Sequence, residues 1–129
     1  MSTDRVFPCP ETNVENTMYW DAAAEGRLLV KHCAACGQAH FYPRAICPHC
    51  FNDRTEWRES SGVGVIYSFS VMRRVAQPYA IAYVALDDGV TIMSNIVDCD
   101  LDALAIGQRV KVAYRASSGS VTIPVFVPA

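Results

Sequence analysis

Two C-x2-C pairs, Cys33-Ala34-Ala35-Cys36 and Cys47-Pro48-His49-Cys50, stand ten residues apart and constrain the chain more than any other feature. Gly37 follows the first pair and Pro48 sits inside the second, so each pair lies in a tight loop free to turn toward a metal. Four thiolates from two such loops can close a tetrahedron around one Zn2+. The interval is short for a four-cysteine site, but long enough for a narrow β-hairpin between the knuckles. Disulfides are disfavoured in a reducing compartment, and Met1 to Pro10 shows no signal-peptide core. Two copies of the pair favour a metal over a thioredoxin-like redox site. Iron in a rubredoxin-like site uses the same knuckles, and the ligands alone do not separate it from zinc. His32, His40 and His49 all lie in this region, but with four cysteines present they are read as surface or supporting groups.

A chain of 129 residues offers one ordinary domain, or a small domain plus a metal-pinned module. The sequence is 51% hydrophobic and only 19% charged, with a mean hydropathy of +0.12, which is apolar for a small monomer. A subunit that buries part of its surface on a partner accounts for that excess. The net charge of −2 and the pI near 5.8 give no basic footprint for nucleic acid. No apolar run approaches a membrane span, and the expected location is cytoplasmic.

Along the chain, Pro8 and Pro10 predict an extended lead-in, in which Cys9 is incidental. Thr12-Asn13-Val14-Glu15 has the spacing of a capping box and Gly26 makes a stop, predicting a helix over 13–25. Val14, Met18 and Ala22 form one stripe of that helix, while Trp20 falls on the far side with Asn16 and Ala24. Either Trp20 caps the neighbouring ribbon or barrel, or the helix docks on another protein with Tyr19 and Trp20 as anchors. Leu28–His32 reads as a strand into the first knuckle, Gln38–Tyr42 as the strand leaving it, and Glu56–Arg58 as a return strand. Ser60-Ser61-Gly62 marks a boundary, dividing the chain into a lead-in and helix (1–26), a zinc ribbon (27–60) and a β-domain (61–129).

Beyond Gly62 the pattern becomes period two. Strands are predicted over Val63–Val71, Tyr79–Leu86, Val90–Val97, Arg109–Tyr114 and Val121–Val127. Asp87-Asp88-Gly89 forms a hairpin turn, and Asp100 caps a helical turn over Leu101–Leu104. Five strands, with a long first one and a helical insertion before the fourth, predict a mainly β chain ending in a five-stranded OB-type barrel.

Catalytic signatures are missing from the sequence. Asp98-Cys99-Asp100-Leu101-Asp102 opens like a calcium loop but has Ala103 where the glycine belongs and Arg109 where the bidentate glutamate belongs. Cys99 reads as packing at a strand end. There is no G-x-S-x-G, no phosphate-cradling glycine loop and no H-E-x-x-H. Arg73 and Arg74, beside Tyr79, are candidates for meeting an anionic phosphate, and equally read as solvated charges.

Taken in order, the residues carry a family resemblance. Tyr19-Trp20, Glu25-Gly26-Arg27-Leu28-Leu29, Cys33-Ala34-Ala35-Cys36-Gly37, Pro43-Arg44 and Cys47-Pro48-His49-Cys50 form its first half. Gly62-Val63-Gly64-Val65-Ile66-Tyr67-Ser68, Pro78-Tyr79, Ile106-Gly107 with Val110, and Pro124-Val125-Phe126 form the second. Over about residues 14–129 the chain resembles the DUF35 family, acyl-CoA-associated OB-fold proteins with an N-terminal helix and a rubredoxin-like zinc ribbon. Some relatives have lost knuckle cysteines, whereas this chain keeps all four; it departs at Phe51, where a glycine often follows the second knuckle. The resemblance implies an accessory subunit of thiolase-fold enzymes (thiolases, acyltransferases or sterol side-chain retro-aldolases), some acting beside MaoC-like hydratases. It further implies that the catalytic groups belong to the larger partner, and that the chain helps wall a channel for a CoA thioester shared with it. Two rivals from other classes are a single-stranded nucleic-acid binder using barrel aromatics and an iron electron carrier.

Overall fold

A computed structural model of the protein describes residues 6–129. The first five residues of the expected lead-in lie outside the described residues. From there the order is one helix, α1 (Thr17–Ala24), then strands β1 (Leu29–Cys33), β2 (Ala39–His40) and β3 (Thr55–Glu59), then β4 (Val63–Met72), β5 (Tyr79–Leu86), β6 (Thr91–Ile96), β7 (Arg109–Ala116) and β8 (Thr122–Pro128).

β1 pairs with β2 on one side and β3 on the other, giving a three-stranded antiparallel sheet that carries the knuckles. The remaining five strands close into a barrel in the order β4-β5-β6-β8-β7. Ile66, Val84, Val110 and Phe126 turn inward and are all fully buried, while a bulge after Ile66 leaves Tyr67 outside. Closure depends on one parallel contact, Ile96 opposite Phe126, and on β7 returning to β4 at Val63–Val65. The 3-10 turn at Leu101–Ala103 bridges β6 and β7, with the Asp100 side chain accepting from the Asp102 amide at 3.0 Å. This is the mainly β, OB-type architecture that the period-two pattern predicts.

The helix differs from its expected form. It starts at Thr17, because the Asn13 side chain accepts from the Glu15 and Asn16 amides and holds residues 13–16 in a turn. No capping box forms: the Glu15 carboxylate reaches across to the Ala45 amide at 2.8 Å instead. The Val14–Met18–Ala22 stripe does not share one environment. Val14 is 99% exposed and Met18 53%, while Tyr19, Ala22 and Ala23 are buried against β1 and β8. Packing against the barrel, rather than four-residue spacing alone, decides which side turns in.

A single apolar cluster runs from Tyr19 through Leu28 and Val30 into the barrel interior at Ile66 and Phe126, with Trp20, Phe41 and Trp57 packed onto it. The helix and the root of the ribbon therefore share a core with the barrel. Phe7 of the lead-in is buried beside the β7–β8 turn, where its carbonyl accepts from the Ser118 amide at 2.8 Å.

Candidate metal centre and comparison with known proteins

The two knuckles are built alike. In the first, the Gly37 amide donates to the Cys33 carbonyl at 2.9 Å and the Cys33 amide to Gln38 at 2.9 Å. In the second, Phe51 donates to Cys47 at 2.8 Å and Cys47 to Asn52 at 2.9 Å. Each turn needs one residue with positive φ: Gly37 (+79°) and, at the equivalent place, Phe51 (+65°). A glycine takes that conformation freely, whereas a bulky side chain pays of order 1 kcal/mol. The Phe51 ring is 79% exposed and finds little packing in return.

These turns bring four sulfurs together. The Sγ atoms of Cys33, Cys36, Cys47 and Cys50 all lie within 4.8 Å of one another, with Cys33–Cys50 at 3.6 Å and Cys36–Cys47 at 3.7 Å. A tetrahedron with metal–sulfur bonds of about 2.3 Å has edges of about 3.8 Å, so the set fits one zinc ion. Cys33 and Cys47 are fully buried at the root, while Cys36 and Cys50 face outward. Backbone amides already point at the inner sulfurs, Cys36 N at 3.5 Å from Cys33 Sγ and His49 N at 3.4 Å from Cys47 Sγ. The amide of Cys36 is the first cause holding the Cys33 thiol down to about 7, toward the thiolate form that binds metal.

The histidines take supporting positions. His40 is buried, its Nε2 accepting from the Arg44 amide at 3.3 Å, and burial pushes its pKa down. His49 Nε2 lies 3.3 Å from the Ala39 carbonyl, tying the second knuckle to β2. Lys31, which the sequence reading passed over, is buried on β1 with its Nζ 4.4 Å above the Trp57 ring and 3.4 Å from Thr55 Oγ1. Its place in an apolar strand next to the knuckle is the signal that could have singled it out.

Tyr19 does not offer a docking surface. Its ring is 4% exposed and stacks edge-on with Trp20 at 4.8 Å, Phe41 at 5.5 Å and Tyr42 at 6.0 Å. An aromatic ring packed on three sides by others gains more inside than at the surface. Trp20 is half-buried behind it, and its indole N–H has no hydrogen-bond partner among the described residues. Arg73 and Arg74 sit apart from the cysteines, in the loop after β4; Arg73 pairs with Asp102 at 2.8 Å and Arg74 is exposed. Beside that loop, at one end of the barrel, Phe7, Pro78, Tyr79, Cys99, Leu101 and Arg115 line a cavity of about 480 Å³.

Residues 20–56 match the ChsH2 rubredoxin-like zinc ribbon domain, and residues 57–115 match the ChsH2 C-terminal OB-fold domain. A DUF35 domain-containing scaffold protein of Methanothermobacter thermautotrophicus is 38% identical over 95 residues, covering 68% of this chain and 71% of that protein. The chain belongs to the DUF35 family. A second relative, a probable enoyl-CoA hydratase alpha subunit of Thermomonospora curvata, is 32% identical over 127 residues. That match takes in 95% of this DUF35 chain, which spans only 40% of the Thermomonospora protein's length. Among solved structures, the Ltp2-ChsH2(DUF35) aldolase superposes with a TM-score of 0.81 at 31% identity, covering 93% of this chain and 98% of that one.

Proposed function

We propose that this DUF35 chain is a non-catalytic accessory subunit of a thiolase-fold acyl-CoA enzyme, with one structural Zn2+ held by Cys33, Cys36, Cys47 and Cys50. The observation that carries the reading is the likeness, over nearly the full length of both chains, to the DUF35 chain named together with Ltp2 in an aldolase. The zinc would fix the knuckles, whose loops hold little regular structure of their own: β2 is two residues long. Structural zinc contributes on the order of 10 kcal/mol to folding such a module.

In this reading residues 1–26 are a lead-in and docking helix, 27–60 the ribbon and 61–129 the barrel, with Trp20 as the helix's contact and Tyr19 its inner buttress. The acyl-CoA would be shared with the partner, with a MaoC-like hydratase as a further candidate partner. The barrel-end cavity supports a place for part of that ligand. Arg73 is tied to Asp102, next to the cavity-lining Leu101, which supports proposing the Arg73–Arg74 pair as the contact for a CoA phosphate.

The test is purification of the native protein from its own cells, with mass spectrometry and metal analysis on the same sample. The expected result is an acyl-CoA enzyme subunit with about one zinc per chain. Recovery of nucleic acid, or of iron with its visible thiolate absorption and no enzyme, would overturn the reading.

A further inference from the structure

Not one residue of β4, β5 or β6 carries a charge. Their neighbour β7 shows what a solvated strand of this same barrel looks like: Arg109, Lys111 and Arg115 punctuate it. An antiparallel strand with one face in the core usually alternates apolar residues with polar and charged ones, and the outer faces of β4–β6 carry only uncharged groups. What they present instead is set by register. Tyr83 stands between Ser68 and Met93, Ile81 stands between Ser70 and Asn95, and the bulge between Ile66 and Ser68 throws Tyr67 outward beside them. Tyr67 is 67% exposed, Tyr83 49% and Met93 61%. A shallow hollow of about 140 Å³ lies alongside, lined by Ser68, Ser70, Ile81, Tyr83 and Met93.

Charge and area narrow what can cover this face. Single-stranded nucleic acid stacks on exposed aromatics but needs cations along its backbone track, and these strands offer none. A second copy is limited by size. Strands of about eight residues at about 3.4 Å rise, three abreast at about 4.8 Å, give a footprint of roughly 400 Å². A symmetric pair through this face would bury on the order of 800 Å² in total, the size of a lattice contact rather than a stable dimer. A larger subunit that continues past the barrel rim can bury the face as the dry centre of a standard-sized interface. Tyrosine and methionine at the centre, with hydroxyl and amide groups around them, is the composition of such a centre.

We infer that the outer face of β4–β6, centred on Tyr67, Tyr83 and Met93, docks an uncharged apolar patch of the acyl-CoA enzyme subunit. This rests on the accessory-subunit reading above. Because the matching patch must lack charge, a single carboxylate on this face is buried without a counter-charge when the two proteins meet, and binding fails.

The experiment uses the zinc-loaded protein and the enzyme subunit identified by native purification, titrated by calorimetry. Tyr83→Glu and Met93→Glu are compared with wild type, with the milder Tyr83→Ala, and with Lys111→Glu on β7 as the control. The expected result is affinity at least about tenfold weaker for both carboxylate variants and a smaller loss for Tyr83→Ala. Lys111→Glu stays within about twofold, and zinc content and melting temperature hold in all four. Unchanged affinity of Tyr83→Glu and Met93→Glu for a confirmed enzyme partner overturns the docking face and leaves the accessory reading standing. If no acyl-CoA enzyme copurifies, the accessory reading itself falls. A wild-type dimer that Tyr83→Glu converts to monomer, with enzyme binding intact, would assign the face to a second copy and overturn the proposal.

Discussion

Gly64 gives the sharpest test of the barrel's packing. A Cβ placed on it falls 2.4 Å from the Ala85 carbonyl oxygen and 2.9 Å from both the Ala85 carbonyl carbon and Leu86 Cα. Comfortable carbon–oxygen contact starts near 3.3 Å, so the new methyl is about 0.9 Å too close. All three neighbours are backbone, and no rotamer change can clear them. Nor can β4 slide away, since Gly64 pairs with Leu86 on one side and Val110 on the other. Gly64→Ala therefore forces the β4–β5 ladder open. Overpacking costs about 1–3 kcal/mol and one or two weakened ladder bonds about 1 kcal/mol each, together about 3 kcal/mol. With 129 residues the unfolding entropy is roughly 270 cal/mol/K, so the melting temperature should fall by about 11 °C. Gly89→Ala is the control: φ is +95° and nothing lies within 4 Å, so only backbone strain of about 1–2 kcal/mol, or about 4–7 °C, is expected. Thermal melts of the zinc-loaded proteins by circular dichroism decide it. A Gly64→Ala melt no lower than that of Gly89→Ala would refute the steric reasoning.

Further expectations concern the ribbon and helix. Cys47→Ser should lose the metal and the hydrogen-exchange protection of residues 33–54 while the barrel stays protected; a full metal complement with an unchanged melt would count against the four-sulfur site. Asn16 is 3% exposed, its Oδ1 accepting from the Asn13 amide at 2.7 Å and its Nδ2 donating to Tyr42 Oη at 2.8 Å. Asn16→Ala should cost about 2 kcal/mol, read as a melt lowered by about 7 °C, and a loss under about 2 °C would show that these bonds hold nothing. Burial lowers the His40 pKa, so between the folded value and about 6.5 the unfolded chain binds more protons than the folded one. The stability contributed by the neutral ring is complete above about 6.5 and is lost as pH falls through that window. An imidazole NMR titration of the zinc-loaded protein should put the His40 midpoint below 6.5, and a midpoint at or above it would reverse the sign.

The helix shows where the sequence stops informing. Thr12 and Glu15 have capping-box spacing, yet the Asn13 side chain competes for the same amides and Glu15 finds the Ala45 amide thirty residues away. No local pattern announces a partner at that separation. Met18 and Tyr19 are neighbours of similar apolarity, and only the direction of β1 and β8 buries one and exposes the other. Phe51 was legible as a departure, but its positive φ becomes a reason only once Phe51 and Gly37 are seen to occupy equivalent turns.

Short-range chemistry settled much of this protein in advance. The spacing of four cysteines in two tight loops specifies a tetrahedral set of ligands, because knuckle turns are local and a zinc or iron ion takes four thiolates tetrahedrally. Period-two alternation and turn residues specify the strands, because side chains on a pleat must alternate faces. Tertiary structure decided the rest. It chose the inward side of the helix, joined Tyr19 and Leu28 to the barrel core, and set the parallel contact of Ile96 with Phe126 that closes the barrel. It also gathered Tyr67, Tyr83 and Met93 from three strands onto one uncharged face. Those features depend on registers between distant segments, and a linear pattern carries no term for which strand will lie beside which.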